Sequence, residues 1–316
     1  MQRFGPLVAG RLVQAILVAL VVAIVSFAMM QALPGDAAYR IAAGRYGYDV
    51  MDAAAAELVR TELGLDRPLT LQLLDWVVAL STFDLGNSLV SGNSVWSEVA
   101  DQLGASLLLA ICAIVLSVLI AAPIGVVAGL NAGGWVDRLS LVVSVATRTV
   151  PAFALGIILM LWLAVEAKLF PVAGYGNGRH LVLPSLTLAL GLAAVSNRVI
   201  RDAVYDATRS PWYAFARNKG LSNSAVFRRH VARNVAVPAV AYVGVQLAYL
   251  IEGVVIIESV FAWPGIGHAL VHAIFERDVP MVQGTALTLG LIFVALNLLV
   301  DLLCRWLDPR GAGSLR

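Results

Sequence analysis

Few residues of this 316-residue chain are equipped for chemistry, and the most conspicuous are His268, His272 and Glu276. Their i, i+4, i+8 spacing sets all three on one face if the segment is helical, a pattern able to hold a divalent metal. The metalloprotease arrangement needs a Glu directly after the first His, and Ala269 stands there. Polar residues beside the "WPGIG" turn (Trp263–Gly267) are the simpler explanation, with a membrane-bound metal-dependent enzyme as the competing class. Nucleotide hydrolysis needs a loop ending in Gly-Lys-Ser/Thr, so that the lysine reaches the phosphates. The only lysines are Lys168 and Lys219, followed by Leu169 and Gly220. No catalytic residue is expected on this chain.

Two further charges stand inside apolar runs: Arg148 in "VATRTVPAF" and Glu252 in "YLIEGVVII". A charge at such a position costs at least about 2.5 kcal/mol on insertion scales and faces a bundle interior or a watered path. Either the two pair with each other or a partner, or they line a translocation path. Asn297 and Asp301, about one turn apart, read as packing residues near the end of the last apolar run. Pro123, Pro151 and Pro184 read as kinks or caps.

The elements that must position these residues follow from composition. The chain is 60% apolar and only 13% charged, and its apolar runs approach the roughly 20 residues that cross a bilayer core. This is an all-α polytopic membrane protein. Six spans are expected, at about Leu12–Leu33, Leu103–Leu130, Leu139–Val165, Leu181–Asn197, Val235–Val260 and Val282–Cys304. Arg3 and Arg11 precede the first, but its apolar stretch is too long for a signal peptide and no small-residue cleavage site closes it. Cys112 and Cys304 lie in apolar runs and read as small apolar residues rather than a disulfide pair.

Charge orients the spans. Between residues 34 and 102, four arginines face ten acids, a net −6. From Arg198 to Arg233, eight basic residues face two acids, a net +6. The basic loop and both termini are expected in the cytoplasm, and the acidic segment outside. That segment reads as a small helical subdomain, with one helix ending near Gly64 and another starting at Pro68. The expected organisation is therefore an N-terminal segment and first span (1–33), an extracytoplasmic subdomain (34–102), a five-span core (103–304) and a tail (305–316).

The basic loop has internal order. "SPWYAFARNKG" (Ser210–Gly220) reads as a helix with Ser210 as cap, Pro211 in the first turn and Gly220 as its stop. "SNSAVFRRHVARNV" starts a second, capped by Ser222 or Ser224. Two short helices over about 210–234 describe a docking knob; proximity to the bilayer argues against a nucleic-acid patch, and anionic lipid is the plainer partner for the charge.

Here the chain resembles the inner-membrane permease subunits of binding-protein-dependent ABC importers, in the dipeptide/oligopeptide/nickel branch. Ala216, Gly220 and Pro238 match their cytoplasmic Glu-Ala-Ala…Gly signature, and Ala216, Arg217, Lys219, Gly220 and Leu221 match the branch's "ARxKGL". Ala214 and Phe215 depart from it, standing where the signature has Glu and Ala. "PGD" (Pro34–Asp36), "LGLDRPL" (Leu63–Leu69), Trp76, "DLGNS" (Asp84–Ser88), "LPSLTLAL" (Leu183–Leu190), "ESVFAWPGIG" (Glu258–Gly267), "RDVPMVQG" (Arg277–Gly284) and "NLLVDLL…LDPR" (Asn297–Arg310) extend the match along nearly the whole chain. Glu252 stands where the family has a small residue.

The resemblance implies the type I ABC importer permease fold in a bacterial inner membrane, with six spans. It implies a second permease, two ATP-binding subunits and an extracytoplasmic substrate-binding protein as partners. This chain would hold no cofactor, ATP and Mg being bound by the partner subunits. Ala216, Arg217, Lys219, Gly220, Leu221 and Arg229 would couple to an ATP-binding subunit, and Arg148 and Glu252 are candidates for the path. Di- or oligopeptides are the expected substrates, with nickel or a metal–chelator complex as the alternative.

Overall fold

The computed structural model describes residues 5–32, 35–46, 52–64, 66–82 and 84–307. The expected first-span end at Leu33, and the tail from 308, lie outside the described residues, as do the side chains of Trp76, Glu252 and Cys304. Thirteen α-helices follow in order among the described residues: α1 (Gly5–Ala32), α2 (Ala37–Tyr46), α3 (Ala53–Leu63), α4 (Leu69–Ser81), α5 (Val95–Leu130), α6 (Trp135–Thr149), α7 (Ala152–Leu159), α8 (Gly178–Arg209), α9 (Pro211–Asn218), α10 (Asn223–Val226), α11 (Ala232–Val260), α12 (Ile266–Glu276) and α13 (Val279–Leu307). A π-helical segment, Met160–Glu166, continues α7, and another, Phe227–Val231, joins α10 to α11.

Among the described residues, four helices are long and apolar enough to cross a membrane, or five if the pair α6 and α7 is one bent span. α11, with 29 residues, covers the stretch expected as the fifth span but is not among those four or five. The third was expected at Leu139–Val165 with Pro151 as a kink or cap, and the chain turns there by 103°, between α6 and α7. The cause is Pro151, which removes a backbone donor and forces Val150 into an extended conformation (ψ 124°). The fourth was expected to end near Asn197, yet α8 continues to Arg209, adding three turns that carry the first basic residues of the loop.

The chain divides into two compact units, Met1–Ser106 with Pro264–Val294 and Leu107–Trp263 with Ala295–Arg316. In the first, α3 and α4 form where the sequence predicts them. Asp52 caps α3 by accepting from the Ala55 amide, and Gly64 ends it in a left-handed conformation. α2 was not anticipated; its Ala38, Ile41 and Ala42 pack with Ala56 and Val59 of α3. A second apolar core gathers Leu85, Val95 and Val99 with Ile266, Ala273, Met281 and Val282. Asp278, 2% exposed, caps α13 through the Met281 amide (3.2 Å) and accepts from the Leu89 amide (3.1 Å) and the Ser88 hydroxyl. That one carboxylate ties the "DLGNS" and "RDVP" stretches together.

In the second unit α8 is central, packing on α11, α6 and α7. α5 also meets it, and nearly backbone to backbone. A Cβ built on Gly129 would lie 2.6 Å from the Arg201 carbonyl oxygen, and one on Gly125 would lie 2.7 Å from that of Asn197. Small residues one turn apart are what allow two membrane helices to approach this closely. Gly129→Ala is therefore expected to destabilise the protein by about 1–3 kcal/mol through forced separation of α5 and α8. Gly104→Ala, on the same helix with nothing within 4 Å of the new Cβ, should leave stability unchanged or slightly raised. Thermal unfolding of both variants in detergent checks this, and equal stability of the two would refute the packing argument.

Candidate functional site

The basic helix pair forms around a glycine. α9 starts at Pro211, whose fixed φ suits a first turn, but the Ser210 hydroxyl donates back to the Ala207 carbonyl (2.6 Å) rather than capping α9. At the other end the Gly220 amide donates to the Arg217 carbonyl (2.9 Å) and the Leu221 amide to the Ala216 carbonyl (3.4 Å), with Gly220 at φ +86°. This is a Schellman stop, which needs a left-handed residue after the last helical turn. The signature residues Ala216, Gly220 and Leu221 thus build the end of a helix.

The second helix differs from expectation. Ser222 caps it, accepting from the Ala225 amide (3.3 Å), but α10 passes through the π-helical turn into α11 without a stop. It is the opening of a long helix rather than a separate short one, because neither Gly nor Pro interrupts residues 223–237. α9 is fastened to this opening by Tyr213 Oη on Asn223 Oδ1 (3.4 Å) and by edge contact of Trp212 with His230 (6.3 Å between centroids). Ala216, Val226 and Val231 are buried beneath, while Arg217, Lys219, Arg228, Arg229 and Arg233 are exposed. Phe215 is 61% exposed, with the Lys219 ammonium 4.6 Å from its ring centre. The result is a rigid knob whose outer face is cationic and aromatic.

A second site lies at the break between α6 and α7. A cavity of about 100 Å³ is lined there by Thr147 and Arg148 from the end of α6, Thr187 and Leu192 from α8, and Tyr242, Gln246 and Gly253 from α11. Arg148 was expected within a span; it is exposed in the last turn of α6, where its charge complements the helix dipole. Glu252 lies in α11 next to the cavity-lining Gly253, its side chain outside the described residues. Buried Gln246 donates to the Leu192 carbonyl (2.7 Å) and to the Ser196 hydroxyl (2.8 Å), fixing α11 to α8 beside the cavity.

Sequence reasoning missed the polar ladder between α6 and α8. Asp137, 6% exposed, accepts from Arg201 Nε (3.1 Å) and Nη2 (2.6 Å), from Arg198 Nη1 (2.9 Å) and from the Gly133 amide (2.9 Å). Asn197 Nδ2 donates to Ser144 Oγ (2.9 Å), a further buried link. From sequence alone Arg198 and Arg201 serve only as orienting charge. The available signals were their three-residue spacing on a helical face and the Gly-x-x-x-Gly of Gly125 and Gly129.

The histidine cluster is helical, as its spacing requires, on α12. The rings of His268 and His272 meet edge to face at 4.5 Å, and burial, then the neighbouring His272, hold the His268 imidazole below its usual pKa. Among the described residues no set of three His, Cys, Asp or Glu side chains gathers to hold a metal. The metal-dependent reading gains no ligand set from α12.

Comparison with known proteins covers both halves of the chain. Residues 121–312 match the family described as binding-protein-dependent transport system inner membrane component, and residues 1–110 match the corresponding N-terminal family. The chain is 38% identical over 290 residues to the glutathione transport system permease protein GsiC of Pectobacterium atrosepticum, covering 92% of this chain and 93% of that protein. The proteins of the same name in Salmonella typhimurium and Escherichia coli are each 36% identical, with the same coverage.

The joint at Gly220 can be tested directly. A β-branched residue at φ +86° is strained by about 1–3 kcal/mol, whereas Asn tolerates the left-handed region. Gly220→Val is expected to speed proteolytic cleavage between α9 and α10 in membranes, with Gly220→Asn close to wild type. Equal protection of both variants would contradict the left-handed stop.

Proposed function

The chain belongs to the inner-membrane permeases of binding-protein-dependent ABC importers, in the peptide/nickel family, and from that membership we propose that it forms one half of a pore importing a short peptide. Its partners in this reading are a second permease, two ATP-binding subunits that carry ATP and Mg, and an external binding protein. The six spans are α1, α5, the bent pair α6–α7, α8, α11 and α13. The knob and both termini face the cytoplasm, and residues 34–102 face outward, in keeping with net charges of +6 over 198–233 and −6 over 34–102.

Coupling falls to the knob. Ala216, Gly220 and Leu221 shape it, while Arg217, Lys219 and Arg229 present charge to an acidic cleft on an ATP-binding subunit. Closure of the two ATP-binding subunits pushes on the knob, and the spans rock between inward and outward access. The path passes the cavity at the α6–α7 break. Arg148, which lines the cavity, suits a carboxylate. Glu252, one residue from the cavity lining, either pairs with Arg148 or adds its own charge to the path. The relatives are named for glutathione, a tripeptide with two carboxylates, which favours a short anionic peptide over nickel.

The observation that carries this reading is similarity to permeases along more than nine-tenths of the chain. The test is reconstitution of the chain with its cognate permease, ATP-binding subunits and binding protein in vesicles. ATP-dependent uptake of glutathione or short peptides is expected, with Arg148→Gln lowering uptake of anionic peptides about tenfold (~1.4 kcal/mol) and of neutral ones much less. Uptake of nickel without peptide would overturn the substrate, and equal loss for anionic and neutral peptides would remove Arg148 from the path.

A further inference from the structure

The ladder between α6 and α8 belongs to neither the knob nor the cavity, yet it joins them. On α8, Arg198, Arg201, Tyr205 and Arg209 follow at three- and four-residue spacing, so they share one face. The guanidinium of Arg201 lies 5.0 Å from the Tyr205 ring centre and that of Arg209 lies 4.2 Å from it. Arg209 ends α8, and Ser210 alone separates it from α9. On α6, Asp137 sits near one end, while Thr147 and Arg148 at the other border the cavity. The helix between Asp137 and Arg148 is about 16 Å long.

We propose that Asp137 is the positioning residue that carries displacement of the knob, through α8 and α6, to the cavity at the α6–α7 break. The proposal rests on the importer reading above. The Asp137 carboxylate is gripped from α8 by two guanidiniums, and Arg201 binds both of its oxygens, fixing orientation as well as distance. The carboxylate is buried, so the attraction is little screened, and pulling the helices apart would strand uncompensated charge. α6 must therefore follow α8. The Asn197–Ser144 bond, seven residues farther along α6 but beside Arg198 on α8, gives α6 a second point of attachment and so resists pivoting about Asp137. A displacement of α6 reaches the break at Val150–Pro151, where the cavity lies.

Asp137→Asn keeps the shape and removes the charge, and Asp137→Glu restores the charge. Both are made in the full complex, with Thr147→Cys carrying an environment-sensitive fluorophore at the cavity edge. With Asp137 in place, ATP is expected to change the emission. In Asp137→Asn the complex should assemble and hydrolyse ATP at the unaltered basal rate, with the emission change lost and peptide imported per ATP down about tenfold; Asp137→Glu should recover most of both. Uptake and hydrolysis falling in proportion, or an emission change that survives in Asp137→Asn, would overturn the proposal and leave a structural staple. If Asp137→Asn fails to assemble, Arg198→Gln, which leaves both Arg201 contacts, decides: an intermediate emission change supports transmission and an unaltered one refutes it. Hydrolysis without import of any peptide in the unmodified complex would count against the substrate reading alone, because the fluorescence test needs only ATP.

Discussion

Two glycines set how close α5 comes to α8, the helix on which α11, α6 and α7 of the second unit also pack. Helices in lipid gain little from burying apolar surface against each other, since the surrounding chains are as apolar as they are. Association then depends on contact distance. With Gly125 and Gly129 facing the carbonyls of Asn197 and Arg201, no side chain holds the two helices apart. α8 is gripped at the point where it leaves the apolar stretch for the basic one, and its last turns extend as a stiff arm.

Once α8 is held, its polar side chains have fixed reach. Asn197, Arg198 and Arg201 find partners on α6, and Ser196 and Leu192 receive Gln246 from α11. Buried polar groups of this kind cost stability when half satisfied and confer a single arrangement when fully bonded. Two prolines have different outcomes. Pro184 lies within α8, which passes through it unbroken. At Pro151 the preceding Val150 is extended and the chain swings away, opening the cavity.

Much of this could be read from the residue pattern. Long apolar runs gave the helices, and Gly64 and Gly220 gave two stops. What escaped was whatever depends on partners distant in sequence. Nothing near Asp137 announces Arg201, 64 residues away, and nothing near Ser88 announces Asp278, 190 away. α2 escaped for another reason: its ten residues are close to neutral in hydropathy, and what holds them as a helix is packing on α3 and α12, with Asp36 bonding the Ala38 amide at its start. The extension of α8 escaped because hydropathy marks the end of the apolar stretch rather than the end of the helix.

The same separation between shape and surface explains the departures from the family signature at Ala214 and Phe215. The residues that shape the knob are the ones that match: Ala216 is buried against its base, and Gly220 supplies the left-handed turn. Ala214 and Phe215 are exposed, and replacing them alters no contact that holds α9 in place. Where the signature has a carboxylate and a methyl group, this chain offers a methyl group and an aromatic ring with an ammonium beside it. That swaps one negative charge for apolar surface within a stretch, residues 213–238, whose charges are all positive. In the importer proposed above, the cleft that receives this knob is expected to be more acidic, or more apolar at its floor, than one that receives the signature form. The departures would then bear on which ATP-binding subunit fits, while the residues that shape the knob stay as in the signature.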